Sequence, residues 1–542
     1  MTPPVPETEL TLPDPMRAEV GRRRLIQYTA SGLAVVAAGP MLAACSSGSS
    51  STGSSGATPS GTPKRGGTLK LGGQGGATTD TLDAHNPLTN TDNARVPQLY
   101  DALVRLDNKA ETQLVLATSI TPNANATEWT IVIRSGVVTH KGKPFTAKDV
   151  LFTFNRIVKN KFSGAIALGP VDLPNSKVVN DTTLLLKYKS PYAILVDALS
   201  LYFISMVPEG YDPKSPDGTG PFKYQSFTPG VQSTFVRNEN YWQTGKPYLD
   251  AVVTTNIADE TTQVNALQSG QVNVINFLSA SSVAALKGAG KQVNVSQTGS
   301  WGPFTMRMDT KPYSNAKVRQ ALRLIVDRPQ MLKQVFGGYG TIGNDVFGIK
   351  DPLYNTSLPQ RVQDIPQAKS LLQSAGFAGL TVDLITTPNA PGQIQAAQVF
   401  ATQAKAAGVN VKITNQNPTD YFAKSYLKVP FSQDYWPTQP YLVAAGQATV
   451  NGGPPGGAPY NATFQNIPAY NQAYASAIAE VDDTKRKALV WQMQQIEYDQ
   501  GGNIIPYFFP TIDAFDSSVK GVLPTATGLS PGNFDYANFW IE

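Results

Sequence analysis

The stretch Trp129–Val150, WTIVIRSGVVTHKGKPFTAKDV, decides how the chain is read. Trp129 to Arg134 alternates in period two with β-branched residues at its centre, which predicts a strand with one buried face. Thr146-Ala147-Lys148-Asp149 predicts a helix start, with Thr146 as cap and Asp149 at the third position bonding back to it. A strand is thus followed within a dozen residues by a capped helix.

The same alternation of strand and helix signals extends on both sides, from Gly66 to Glu542, and no internal repeat interrupts it. Leu184-Leu185-Leu186-Lys187-Tyr188 predicts another strand. Val318, Ala321, Leu322 and Ile325 stand at i, i+3, i+4 and i+7, so an amphipathic helix should follow Asn315. Pro366 to Ala375 predicts a short helix with Pro near its start and Gly376 just past its end. Leu489, Met493 and Ile496 mark a late helix that stops before Gly501-Gly502. With 542 residues the pattern gives an α/β or α+β protein of two or three domains.

Composition narrows the chemistry. There are 44 Lys and Arg against 39 Asp and Glu, and the net +5 is spread along the chain. Without a dense basic stripe it carries no nucleic-acid signal. A single cysteine excludes a disulfide framework or zinc cluster, and only His85 and His140 are available for imidazole chemistry. His140 beside Lys141 and Lys143 is a poor metal site and reads as a structural hydrogen-bonder, so no metal or cofactor is expected. Gly528-Leu529-Ser530-Pro531-Gly532 matches the nucleophile elbow G-x-S-x-G only formally. Both histidines precede Ser530, and Pro531 lacks the N–H that an oxyanion hole takes from that position. Gly72-Gly73-Gln74-Gly75-Gly76 lacks the third glycine of a dinucleotide loop, because Thr78 stands there.

The N-terminal residues read as an address. Arg22-Arg23-Arg24-Leu25-Ile26 fits a twin-arginine export signal, and an uncharged run from Leu25 to Ala44 follows. That run contains Gly32, Gly39 and Pro40, and it is too weakly apolar for a spanning helix. It closes on Leu42-Ala43-Ala44-Cys45, which resembles a bacterial lipobox and makes the lone Cys45 the expected lipidation site. Residues 46–63 carry no charge and suit a flexible tether with a reach of about 20–25 Å. The expectation is residues 1–44 as signal peptide and 45–63 as lipidated Cys and tether, on the outer face of the cytoplasmic membrane.

Against this background the stretch 129–150 resembles the signature of the extracellular solute-binding proteins of family 5, the oligopeptide, dipeptide and nickel receptors of ABC importers. Its usual form is W-T-F-x-L-R-x-G-V-x-F-H-D-G-x-P-x-T-A-x-D-V; here Thr139 and Lys141 replace the Phe and Asp. Thr219-Gly220-Pro221-Phe222, Arg237-Asn238-Glu239-Asn240-Tyr241-Trp242, Lys246-Pro247-Tyr248-Leu249-Asp250 and Leu267-Gln268-Ser269-Gly270 follow in the family's order. So do Val318-Arg319-Gln320-Ala321-Leu322 with Asp327-Arg328, and Leu371-Leu372-Gln373-Ser374-Ala375-Gly376-Phe377.

The resemblance implies an α/β, two-lobed, periplasmic-binding-protein-like (Venus-flytrap) fold with an extra subdomain in lobe I. Lobe I is expected over 64–298 and again over 508–542, with the subdomain at 98–218, and lobe II over 302–505. Crossings should fall near Thr298–Arg307 and Ile504–Phe509. The implied function is capture of a short peptide or similar zwitterionic solute and its delivery to ABC permease subunits by a monomeric receptor that is not an enzyme. Receptors for nickel chelates, opines or oligosaccharides remain open within the class, and a membrane-tethered hydrolase outside it.

The expected ligand-binding residues are Asp434, Trp436, Tyr435, Arg307 and Trp301. In peptide-binding members a lobe II aspartate accepts the ligand's ammonium, and Asp434 matches it, with Tyr441 seven residues on. The usual Trp before the Asp is absent, Trp436 follows it, and Pro437-Thr438 stands where Asp-Pro is common. Trp301 and Arg307 are expected at the first crossing. Arg307 there meets either a ligand carboxylate or one of the protein's own.

Overall fold

The computed structural model describes residues 61–542, so the expected export signal, the lipidation site Cys45 and most of the tether lie outside the described residues. Two mixed sheets carry the architecture. A seven-stranded sheet runs in the spatial order Gln292–Ser296, Thr511–Phe515, Val274–Ile275, Thr68–Gly73, Ala251–Asn256, Gln232–Arg237 and Phe222–Thr228. Thr68–Gly73 lies parallel to both of its neighbours. A five-stranded sheet follows the order Asn410–Asn415, Thr381–Thr386, Phe431–Gln433, Phe304–Met306 and Asn503–Ile504.

The chain passes between these sheets twice, after Ser296 and again before Thr511. The two passages touch: Phe509 N–H donates to Ser300 O (3.0 Å), and the Thr298 hydroxyl donates to Phe509 O (2.6 Å). These bonds tie the two passages to each other where the chain crosses between the sheets.

A separate four-stranded sheet holds the signature strand Glu128–Ile133 between Ala117–Pro122 and Thr183–Lys187, with Lys177–Asn180 at the far edge. Its alternation is real: Trp129, Ile131 and Ile133 are buried. The helix Ala147–Lys159 covers them, and Asp149 Oδ2 accepts from Thr146 N–H (2.7 Å) as the capping pattern predicts. The amphipathic helix Ala316–Leu324 is capped by Asn315, and the late helix runs Asp483–Gln500. Its last turn is held by the buried Arg323, which donates to the carbonyls of Glu497, Tyr498 and Gly501.

The largest apolar cluster does not respect the division between the sheets. It joins the four-stranded sheet and Ala147–Lys159 to Trp301, Phe347, Trp436 and the helix Tyr441–Ala448. Ala193 N–H donates to Ile478 O (2.6 Å), and the Ser163 and Tyr460 hydroxyls pair at 2.9 Å, so the two halves are apposed.

The Thr219-Gly220-Pro221 motif is explained by one close approach. Gly220 N–H donates to Leu99 O (3.1 Å), and Gly220 O accepts from His140 Nε2 (3.0 Å) and Asn238 Nδ2 (3.0 Å). Burial pushes the His140 imidazole down to about 4, so it is neutral and Nε2 carries the proton it donates. A Cβ on Gly220 would stand 2.5 Å from the Leu99 carbonyl carbon and 2.7 Å from Tyr100 N. Gly220→Ala is therefore expected to cost about 1–3 kcal/mol or more, read as a lower denaturation midpoint at unchanged slope. An unchanged midpoint would mean that the Leu99 backbone yields freely.

Candidate functional site

The passages and the segment after Phe431–Gln433 build one wall. Trp301 and Trp436 exchange both backbone hydrogen bonds at 3.0 Å, and their rings stack at 5.7 Å and 12°. Phe347 stacks on the other face of Trp301 (4.9 Å), and Tyr441 stacks on Phe347 (4.8 Å). Four rings in series make a rigid partition with little side-chain freedom left to lose.

Asp434 sits against this partition. Its N–H donates to Pro303 O (3.0 Å), which places the carboxyl at the end of the strand pair formed by Phe304–Met306 and Phe431–Gln433. Oδ1 accepts from Tyr435 N–H (2.8 Å), and Oδ2 accepts from Trp436 Nε1 (3.0 Å) and the Tyr426 hydroxyl (3.3 Å). All three donors are neutral, and no salt bridge of Asp434 occurs among the described residues. Burial pushes its carboxyl up to about 6, against the downward pull of those hydrogen bonds. Asp434 is thus a carboxylate held ready at neutral pH, hydrogen-bonded but without a counter-charge.

Tyr435 and Pro437, on either side of Trp436, reach the space between the lobes. With Ser300 and Phe509 they meet Asn93, Phe277 and Leu529 around a narrow crevice. Tyr202, Pro437, Leu529 and Phe534 are shared with an adjoining cavity of about 910 Å³, its open mouth included. That cavity is walled by Pro437, Thr438 and Gln439 on one side and by Asp101, Arg105, Tyr241 and Tyr536 on the other. Arg105 pairs there with Asp535 at 3.1 Å. Asp101 is buried and accepts from Trp242 Nε1 (2.9 Å) and from the Thr219 and Tyr241 hydroxyls (3.1 Å each).

Of the expected residues, the structure brings Trp301, Tyr435 and Trp436 together with Asp434. Of these only Tyr435 lines the crevice; Trp301 is enclosed in the ring stack, and Asp434 and Trp436 are buried behind Tyr435. Arg307 is not brought to Asp434. Its guanidinium donates to Asp309 (3.0 and 2.6 Å) and to the carbonyls of Leu427 (3.2 Å) and Lys428 (3.1 Å), and it lies over the Phe464 ring at 3.7 Å. The protein's own carboxylate occupies it. Sequence reasoning missed Tyr426 and the far wall; the run Tyr421-Phe422 to Tyr426 just upstream of Asp434 was the available signal. Among the described residues no group of three or more metal-ligating side chains is clustered. The Ser530 hydroxyl is fully buried and donates to Asp513, away from either histidine's partners.

A two-lobed molecule with two passages between its sheets and a crevice at the crossing is the form of a solute receptor. The family "Bacterial extracellular solute-binding proteins, family 5 Middle" matches residues 111–477, and the chain belongs to it. It is 29% identical over 379 residues to the oligopeptide-binding protein AppA of Bacillus subtilis (strain 168), covering 66% of this chain and 67% of that one. It is 29% identical over 381 residues to heme-binding protein A of Haemophilus influenzae, covering 62% and 67%. Among solved structures it resembles the Helicobacter pylori ABC transporter-associated periplasmic binding protein DppA in complex with peptide STSA. That likeness has a TM-score of 0.77 and 21% identity over 88% of this chain and 99% of the other.

Proposed function

We propose that the protein captures a short peptide or similar zwitterionic solute between its lobes and delivers it to an ABC permease. The observation that carries this reading is Asp434, a carboxylate enclosed by Trp436 and Tyr426 with three neutral donors and no cation. A ligand ammonium supplies the missing charge and gains a charge-assisted hydrogen bond together with aromatic faces. The division into lobe I (64–298 and 508–542), subdomain (98–218) and lobe II (302–505) accords with the two passages between sheets. Peptide binding by the AppA and DppA relatives, as their names state it, supports the same ligand class. Calorimetry of the purified protein with tri-alanine should give one-to-one binding with no cleavage. Accumulation of cleaved product would replace the receptor by a hydrolase.

The same reading places the receptor outside the cytoplasmic membrane as a lipid-anchored monomer, exported by a twin-arginine signal. It rests on Arg22-Arg23-Arg24-Leu25-Ile26 and on the lone Cys45 after Leu42-Ala43-Ala44. Cys45→Ser is expected to move the protein out of the membrane fraction. Continued tight retention would reject the anchor.

A further inference from the structure

Arg307 follows the strand Phe304–Met306 and faces a turn of irregular backbone. Tyr421–Ser425 forms a π-helical turn, closed by Tyr426 N–H donating to Tyr421 O (2.8 Å). Leu427 follows with φ of +60°, a conformation that residues with a Cβ rarely adopt. Single π turns and left-handed non-glycine residues persist where surrounding structure holds them. Arg307 supplies part of that hold. Arg307 Nη1 takes the carbonyls of Leu427 (3.2 Å) and Lys428 (3.1 Å), and Arg307 N–H donates to Pro430 O (2.9 Å). Asp309 and the Phe464 ring fix the guanidinium plane from its other edge and its face. The turn so held carries two phenols onto the end of Phe431–Gln433: Tyr421 donates to Gln433 O (2.6 Å) and Tyr426 to Asp434 Oδ2 (3.3 Å).

We propose that Arg307 is a positioning residue for the ligand site, clamping the Tyr421–Lys428 turn so that Tyr426 presents its hydroxyl to Asp434. This rests on Asp434 as the ammonium acceptor. The clamp acts at a distance: Arg307 touches backbone carbonyls, and Tyr426 touches the carboxylate. A planar fork suits the task, because two adjacent carbonyls on one side and a carboxylate on the other need donors fixed in one plane. Loss of the Tyr426 donor removes a hydrogen bond that favours the ionised carboxylate, so the site weakens first toward acid.

The test reads Asp434 directly, by carbon-13 NMR of its carboxyl in the full chain, with Asp434→Asn identifying the signal. Tyr426→Phe is expected to raise the Asp434 titration midpoint. Arg307→Ala is expected to raise it equally, and the double variant no further. Arg307→Lys, which keeps the charge toward Asp309 but not the fork, should fall between native and Arg307→Ala and serves if the alanine variant does not fold. Tri-alanine binding should drop about 3- to 10-fold in Arg307→Ala, more at pH 6 than at pH 8. A midpoint that moves in Tyr426→Phe and not in either Arg307 variant overturns the clamp. So does a midpoint unmoved by Tyr426→Phe. If Asp434→Asn binds tri-alanine as the native protein does, the ammonium reading fails while the titration still decides the clamp.

Discussion

Asp434→Asn is expected to lower peptide affinity by about 2–5 kcal/mol. The substitution keeps size but deletes the charge and one of the two accepting oxygens, so a bound ammonium would be buried without a counter-ion. In the free protein the same charge is a liability. It is buried, it meets only neutral donors, and its carboxyl is pushed up to about 6. Since its folded value lies above the ordinary value of about 4, ionisation is costlier in the native state than in the unfolded chain. The amide relieves that cost but leaves one buried donor without an acceptor, so the net change in stability is small. A large affinity loss with little change in stability distinguishes a ligand-directed carboxylate from a structural cap, whose removal lowers stability and leaves affinity alone. Calorimetry with tri-alanine and a thermal scan of the free protein measure both. Unchanged affinity would end the assignment.

Thermal stability is expected to fall as pH rises from 6.5 to 8, and Glu497→Gln should remove about half of that fall. Glu497 is buried in the late helix and accepts from the Tyr441 (3.1 Å) and Tyr470 (2.8 Å) hydroxyls. Burial pushes its carboxyl up to about 8. Burial likewise pushes Asp513 and Asp197 up to about 7. Each folded value lies above the unfolded one, so the native state holds more protons and loses stability as pH climbs toward the folded value. Below about 6.5 the sign is contested. His85 and His140 are pushed down to about 4 by burial, so acid destabilises the native state through them over the range where the carboxyls are stabilised by it. Above 6.5 the unfolded histidines shed only their remaining half proton, a smaller opposing effect that fades by about pH 7.5, and the acids dominate. Glu497 by itself then changes stability by about 2 kcal/mol, a few degrees in Tm. A Tm that is constant or rises over that interval would show that Glu497 is already ionised near pH 6.5.

Much of the fold was legible because its determinants act over a few residues. The alternation at Trp129–Arg134, the Thr146–Asp149 cap and the stripe from Val318 to Ile325 are local regularities, and each reappears as the element it predicts. Asp434 was legible as a carboxylate among aromatic residues, since Tyr435, Trp436 and Tyr441 are near it in sequence. Tertiary structure alone decided what those residues face. Arg307 lies 120 positions from Leu427, and the antiparallel pairing of Phe304–Met306 with Phe431–Gln433 brings it to that turn rather than to the crevice. The same pairing sets Asp434 beside Pro303 and lets Trp301 stack on Trp436, and the approach of Gly220 to Leu99 likewise needs the two segments already in place. Caps and periodicity are satisfied within one turn of chain. The partner of a long side chain, and the solvent left to a carboxylate, depend on which distant strand becomes its neighbour.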